Sequence, residues 1–256
     1  MVEISLRNVD FAYAKDLVLR SIDLQINKGE FVSLIGPNGS GKTTLLKLVA
    51  GLLKPTRGTV LVRGMEPGRM RKKQLARIVG FVTEDLNPIY PFQVKQIVLT
   101  GRLPYKNSFF ASWEELDFQK VKEALAKVDA LEYFDRYFSQ LSAGEKKRVS
   151  IARILAQDTP ILLFDEPTAH LDPGHAVEVL EIMKKLHDEG RTILTAFHEI
   201  NFAVRLSDRI VMMKEGKIFA EGKAEEVLTK ENLEQVYNAR FRLVNDPLTG
   251  LPYVIY

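Results

Sequence analysis

The sequence predicts an α/β fold: a parallel sheet buried on both faces, an N-terminal antiparallel β unit and an inserted helical segment. Three observations carry that expectation. Period-2 alternation of apolar and polar residues marks Glu3 to Val9, Val18 to Ile26 and Gly58 to Arg63, the pattern of strands with one wet face. Short apolar runs recur at Phe31 to Ile35, Ile161 to Phe164, Thr192 to Ala196 and Ile210 to Met213, each near a helix-like stretch, as parallel strands covered on both faces require. Between about Pro88 and Gln157 the strand pattern vanishes and helical amphipathicity takes over, as from Glu114 to Val128 and from Gly144 to Ala156.

In chain order, the alternating segments come first and the Phe31 to Ile35 strand follows, leading into a glycine-rich turn and a helix that starts near Lys42. A β-like stretch, Ile78 to Thr83, precedes the helical insert, and the three remaining apolar strands come after it. Phe241 to Tyr256 reads as a β hairpin turning at Asp246-Pro247-Leu248-Thr249-Gly250. The expected organisation is one domain over 1–256, with the β unit and a nucleotide-binding core in 1–87 and 158–256 and the helical segment in 88–157.

Composition narrows the function classes. With 256 residues, 46% of them hydrophobic and 27% charged, the chain can bury a full core. Cysteine is absent, so no disulfide, thiolate metal site or cysteine nucleophile exists. The apolar runs fall far short of the roughly 18 residues a spanning helix needs, and MVEISLRNVDF lacks the basic start and apolar block of a secretory signal. A mature cytosolic protein is expected. A formal charge of +3 is too small an excess to argue for nucleic acid.

The sharpest motif is Gly36-Pro37-Asn38-Gly39-Ser40-Gly41-Lys42-Thr43, a P-loop by spacing, set between an apolar strand and a helix. Its glycines let successive backbone N–H groups face one anion; Lys42 reaches the terminal phosphates and Thr43 holds Mg²⁺. A carboxylate pair, Asp165-Glu166, leaves the C-terminal end of another apolar strand, the edge at which parallel sheets bind ligands. Asp165 suits Mg²⁺ and Glu166 suits polarising an attacking water. His198 follows the Thr192 to Ala196 strand and reaches the same edge, where it can contact the γ-phosphate. His170, His175 and His187 lack metal-ligand spacing and read as surface residues, His170 in a loop near the nucleotide.

A further anion site is written at Leu141-Ser142-Ala143-Gly144-Glu145, where Ser142 is a good N-cap and the N–H groups around Gly144 begin a helix of the insert. With this segment the whole chain resembles the ATP-binding subunits of ABC transporters. The resemblance implies a P-loop NTPase (RecA-like) core, ATP and Mg²⁺ as cofactors, and a head-to-tail dimer with a second copy. It implies that Tyr13 stacks on adenine, that Gly36 to Thr43 and the neighbouring Thr44 bind the phosphates, and that Asp165 and Glu166 serve the metal and the water. Ser142, Ala143, Gly144 and Glu145 would bind in trans the γ-phosphate held by the other copy. Asp172, in Ala169-His170-Leu171-Asp172, would lie at the dimer interface, and His198 would be the switch histidine.

Three positions depart from the family pattern: Ala143 replaces the usual glycine, Glu145 the usual glutamine, and Glu84 the glutamine expected to sense Mg²⁺. Glu84 keeps an oxygen ligand but adds a charge. Thr100-Gly101-Arg102-Leu103-Pro104-Tyr105 and the tail Asn245 to Pro252 resemble the ATPases of importers for iron(III) siderophores, haemin and cobalamin. This implies polytopic permease subunits, indirectly a substrate-binding protein, and a peripheral location on the inner face of the cell membrane. The cytosolic ATPase of iron–sulfur cluster assembly, of similar length, is the competing reading.

Overall fold

A computed structural model describes residues 1–83, 88, 90–106, 108, 112–247 and 249–255. Strands β1 (Val2–Tyr13), β2 (Asp16–Asn27) and β4 (Arg57–Val62) form an antiparallel sheet in the order β2-β1-β4. In a second sheet β5 (Val79–Val82), β6 (Ile161–Asp165), β7 (Thr192–Ala196), β3 (Phe31–Ile35) and β8 (Arg209–Lys214) run parallel in that spatial order. The edge strand β9 (Lys217–Gly222) is antiparallel to β8. A hairpin of β10 (Arg242–Asn245) and β11 (Pro252–Ile255) follows at the tail, as the turn residues predict.

Helices α1 (Lys42–Val49), α2 (Lys72–Leu75), α6 (Pro173–Asp188), α7 (Ile200–Leu206), α8 (Ala224–Val227) and α9 (Lys230–Tyr237) accompany the sheets. Between β5 and β6 lie α3 (Val94–Leu99), α4 (Glu115–Lys127) and α5 (Ala143–Ala156), the inserted helical segment. Among the described residues no helix is long and apolar enough to cross a membrane.

Strand alternation explains how the layers stack. Val32, Leu34, Leu163, Leu194 and Val211 join a core with α1 and the inner face of the antiparallel sheet, including Ile4, Leu6, Leu24 and Leu45. Their neighbours along the same strands, Phe31, Ile35, Phe164, Ile193 and Ile210, join the opposite core with α3 to α7. Period 2 therefore sends successive residues into two cores, and the strands read as continuously apolar because both faces are covered.

The segment Thr100 to Tyr105 ties the insert to the parallel sheet. Arg102 donates to Asp117 at 3.1 Å and to the Ala156 carbonyl at 2.9 Å, in a pair whose side chains are 7% and 12% exposed. Tyr105 lies under the Arg102 guanidinium at 3.9 Å and donates to the Gln157 carbonyl, while Gln157 donates to the Ala76 and Val79 carbonyls beside β5. Gly101 sits so close to α5 that an added Cβ would stand 2.1 Å from the Arg153 carbonyl oxygen. Gly101→Ala should therefore force the segment off α5 and cost about 1–3 kcal/mol. At about 2–4 °C per kcal/mol for a chain of this size, differential scanning calorimetry should register a lower Tm.

One histidine departs from its sequence reading. His187 is half-buried: its Nε2 lies 3.0 Å from the Gly29 carbonyl and 3.1 Å from Asp208, and its ring stands edge-on to Phe31. It fastens the end of α6 to the start of β3, through partners too distant in sequence for spacing to reveal.

Candidate functional site

The P-loop leaves β3, in the middle of the sheet, and its shape is enforced by neighbours. Gly36 has φ 146°, and an added Cβ would stand 2.2 Å from the Met213 carbonyl oxygen. Gly41, at φ 104°, would place a Cβ 2.5 Å from a Leu19 methyl. Only glycine fits either position, by conformation and by space. Lys42 begins α1, is 5% exposed and donates to the Gly36 carbonyl at 2.7 Å and the Pro37 carbonyl at 3.2 Å. Burial pushes its pKa below the ordinary value, against the opposing pull of Glu166 and then Asp165.

The residues fit a triphosphate and a hard cation. Ser40 is buried inside the loop, and its hydroxyl has no hydrogen-bond partner among the described residues, the kind of orphan that a bound phosphate oxygen would satisfy. Thr43 Oγ1 donates to Asp165 Oδ1 at 2.9 Å. A hydroxyl and a carboxylate so placed are the oxygen donors Mg²⁺ prefers. Thr44 is buried one residue deeper in α1, while Pro37 is half-buried and Asn38 and Gly39 are exposed at the loop's crest.

Glu166 follows β6 with φ 47°, a left-handed conformation unusual outside glycine. Its N–H donates to the Ala196 carbonyl at 3.1 Å, which turns the chain off the strand end. Register fixes the rest. Asp165 pairs with Ala196, and β3 pairs with β7 in parallel, so Lys42, His198 and Asp165-Glu166 follow three adjacent strands at one sheet edge. A cavity of about 540 Å³ there is lined by Asn38, Glu166, His170, Leu171, His198 and Phe202 among others. The structure thus brings His198 and Glu166 together, with His170 beside them.

Tyr13 closes the β1–β2 hairpin, 44% exposed, with its ring 4.8 Å from that of Phe11 in an edge-on pair. It is open to a planar ligand. Next along β2, Val18 and Leu19 pack on Gly41, which brings this hairpin towards the P-loop.

Ser142 caps α5 in a reciprocal box: Glu145 N–H donates to Ser142 Oγ at 3.3 Å, and Ser142 N–H donates to Glu145 Oε2 at 2.7 Å. That backbone donor, more than any other contact, holds the Glu145 carboxyl below the usual carboxylate range. The glutamate at this position is thereby explained locally, since a capping box takes Glu or Gln. Ser142 and Ala143 are exposed, and Gly144 is buried against His175.

Asp172 caps α6, where its Oδ1 accepts from Gly174 N–H at 3.0 Å and His175 N–H at 3.2 Å. Its other oxygen pairs with His175 Nδ1, a contact that sequence spacing missed although the i to i+3 separation at a capped helix start could have exposed it. The pairing lowers the Asp172 pKa and raises that of His175. Glu84 lies outside the described residues.

The ABC transporter family model matches residues 19–169. The petrobactin import ATP-binding protein FpuD of Bacillus anthracis is 37% identical over 250 residues, covering 97% of this chain and 91% of the relative. The ferric enterobactin transport ATP-binding protein FepC of Escherichia coli K12 is 34% identical, covering 95% and 90%. Among solved structures, the dimeric post-hydrolysis state of the ATP-binding cassette MJ0796, bound to ADP and Pi, superposes with a TM-score of 0.71 at 30% identity, covering 86% of this chain and 98% of that one.

Proposed function

The chain belongs to the ABC transporter family, and from that premise we propose that it is the ATP-hydrolysing subunit of an importer for an iron(III) chelate or similar metal chelate. The carrying observation is the convergence of Lys42, Thr43, Asp165, Glu166 and His198 beyond the ends of three neighbouring strands. The cargo reading rests on relatives that serve petrobactin import and ferric enterobactin transport. Such relatives favour transport over iron–sulfur cluster assembly.

Two copies would close head to tail, each ATP lying between one chain's P-loop and the other's Ser142 to Glu145, with Asp172 at the interface. The dimeric cassette at 30% identity supports pairing with a second copy; the exposed, capped start of α5 at Ser142 supports its use as the surface offered to the other chain's nucleotide. Tyr13 would stack on the adenine, and Gly36 to Thr44 would bind the phosphates, with the Ser40 hydroxyl and Lys42 directed at them. Thr43 and Asp165 would hold Mg²⁺, which supplies charge neutralisation of the phosphates when bound. Glu166 would accept a proton from the attacking water as the bond between the γ-phosphorus and the bridging oxygen breaks and ADP leaves, while His198 contacts the γ-phosphate. Hydrolysis reopens the dimer, and the moving insert would rock separate membrane permease subunits, to which the cytoplasmic chain attaches and which a substrate-binding protein supplies.

Affinity purification of the tagged chain from detergent extracts tests the class. It should bring down a polytopic membrane protein, and cells lacking the chain should lose uptake of a ferric siderophore from a labelled panel. Soluble scaffold partners with unchanged uptake would move the protein to cluster assembly.

A further inference from the structure

His175 has no role in the site as described so far, yet it joins two of the site's parts. Asp172 Oδ1 alone satisfies the two N–H groups that cap α6. The imidazole is therefore not needed for the cap. It takes the remaining oxygen through Nδ1 and turns its other edge onto Gly144, where an added Cβ would stand 2.3 Å from Cδ2 and 2.5 Å from Cγ. One turn further along, Arg148 of α5 faces Glu178 of α6 at 3.8 Å, so the two helix starts meet along a ladder of which His175 is the first rung.

We infer that His175 is a positioning residue for ATP hydrolysis, clamping the start of α5 to the start of α6 so that Ser142–Glu145 and Ala169–Asp172 reach the partner's ATP as one unit. The inference rests on the head-to-tail reading above. Two loops that must meet one phosphate group in register lose rate when either drifts, because a misplacement near 1 Å can cost about a hundredfold. The glycine at 144 has a matching explanation: any side chain there would displace the ring.

His175→Ala should lower kcat about tenfold, with KM for ATP and ATP affinity of the monomer within about twofold of wild type. His175→Asn should restore most of that loss, since its Cγ and the two atoms bonded to it reproduce Cγ, Nδ1 and Cδ2, the atoms that make both contacts. A cavity or folding defect would not be repaired so selectively. The His175 variants are also made in the Glu166→Gln chain, where His175→Ala should weaken ATP-dependent dimerisation. If that parent chain does not dimerise with ATP, the head-to-tail reading and this inference fall together. If it dimerises but His175→Ala leaves kcat within about twofold of wild type, or His175→Asn restores nothing, or monomer affinity falls with kcat, the inference alone is overturned.

Discussion

Glu166→Gln should bind ATP as well as the wild-type chain and turn it over about 10² to 10⁴ times more slowly, the cost of losing a general base. The amide keeps the shape and polarity of the side chain but cannot take the proton from water. Backbone strain is common to both residues: the left-handed turn at φ 47° is fixed by the N–H bond to the Ala196 carbonyl, not by the side chain. The substitution therefore separates chemistry from architecture. Unhydrolysed ATP should hold two copies together, and size-exclusion chromatography should show a dimer with ATP and a monomer with ADP. Phosphate release within about threefold of wild type would remove Glu166 from the base role.

Ser142→Arg should abolish hydrolysis while leaving the P-loop of the same chain competent. In the head-to-tail arrangement proposed above, a bulky cation at the exposed start of α5 would occupy the space the other copy's γ-phosphate needs. Losing the cap itself costs only about 1 kcal/mol, so Ser142→Ala serves as the control for helix stability and should retain far more activity. Mixing supplies the sharper test. One Ser142→Arg chain paired with one Lys42→Ala chain places both lesions at one composite site and leaves the other site whole, so mixing should recover activity that neither variant has alone. If the Ser142→Arg monomer instead loses ATP affinity as severely as Lys42→Ala, the two residues serve one site within one chain.

Much of this was legible in the sequence because the features are local. The P-loop spacing, the Asp165-Glu166 pair at a strand end and the Ser142 to Glu145 cap each depend on residues within eight positions of one another. Strands buried on both faces were visible as apolar runs, and β1, β2 and β4 as alternation. The illegible part is tertiary. His187 was misread because its partners, Gly29, Phe31 and Asp208, come from two other segments. The contact between His175 and Gly144 joins two helix starts that carry no shared pattern. Thr100 to Tyr105 was legible only as a family resemblance; the structure supplies its physical content, a buried Arg102–Asp117 pair and a glycine wedged against α5. The β9 edge strand escaped because its half-exposed alternation lacks the apolar run that marks its parallel neighbours.

The chain contains no cysteine, so thiol cross-linking tests the composite site without background. Asn38→Cys is placed on the P-loop of one Glu166→Gln chain and Ser142→Cys at the start of α5 in another, and the two are mixed and treated with a short bifunctional thiol reagent. The account predicts a cross-linked heterodimer with ATP, little of it with ADP, and no comparable product from either variant alone. A chain carrying both cysteines that closes on itself as a monomer, or a mixed pair that cross-links equally with ATP and ADP, would contradict it.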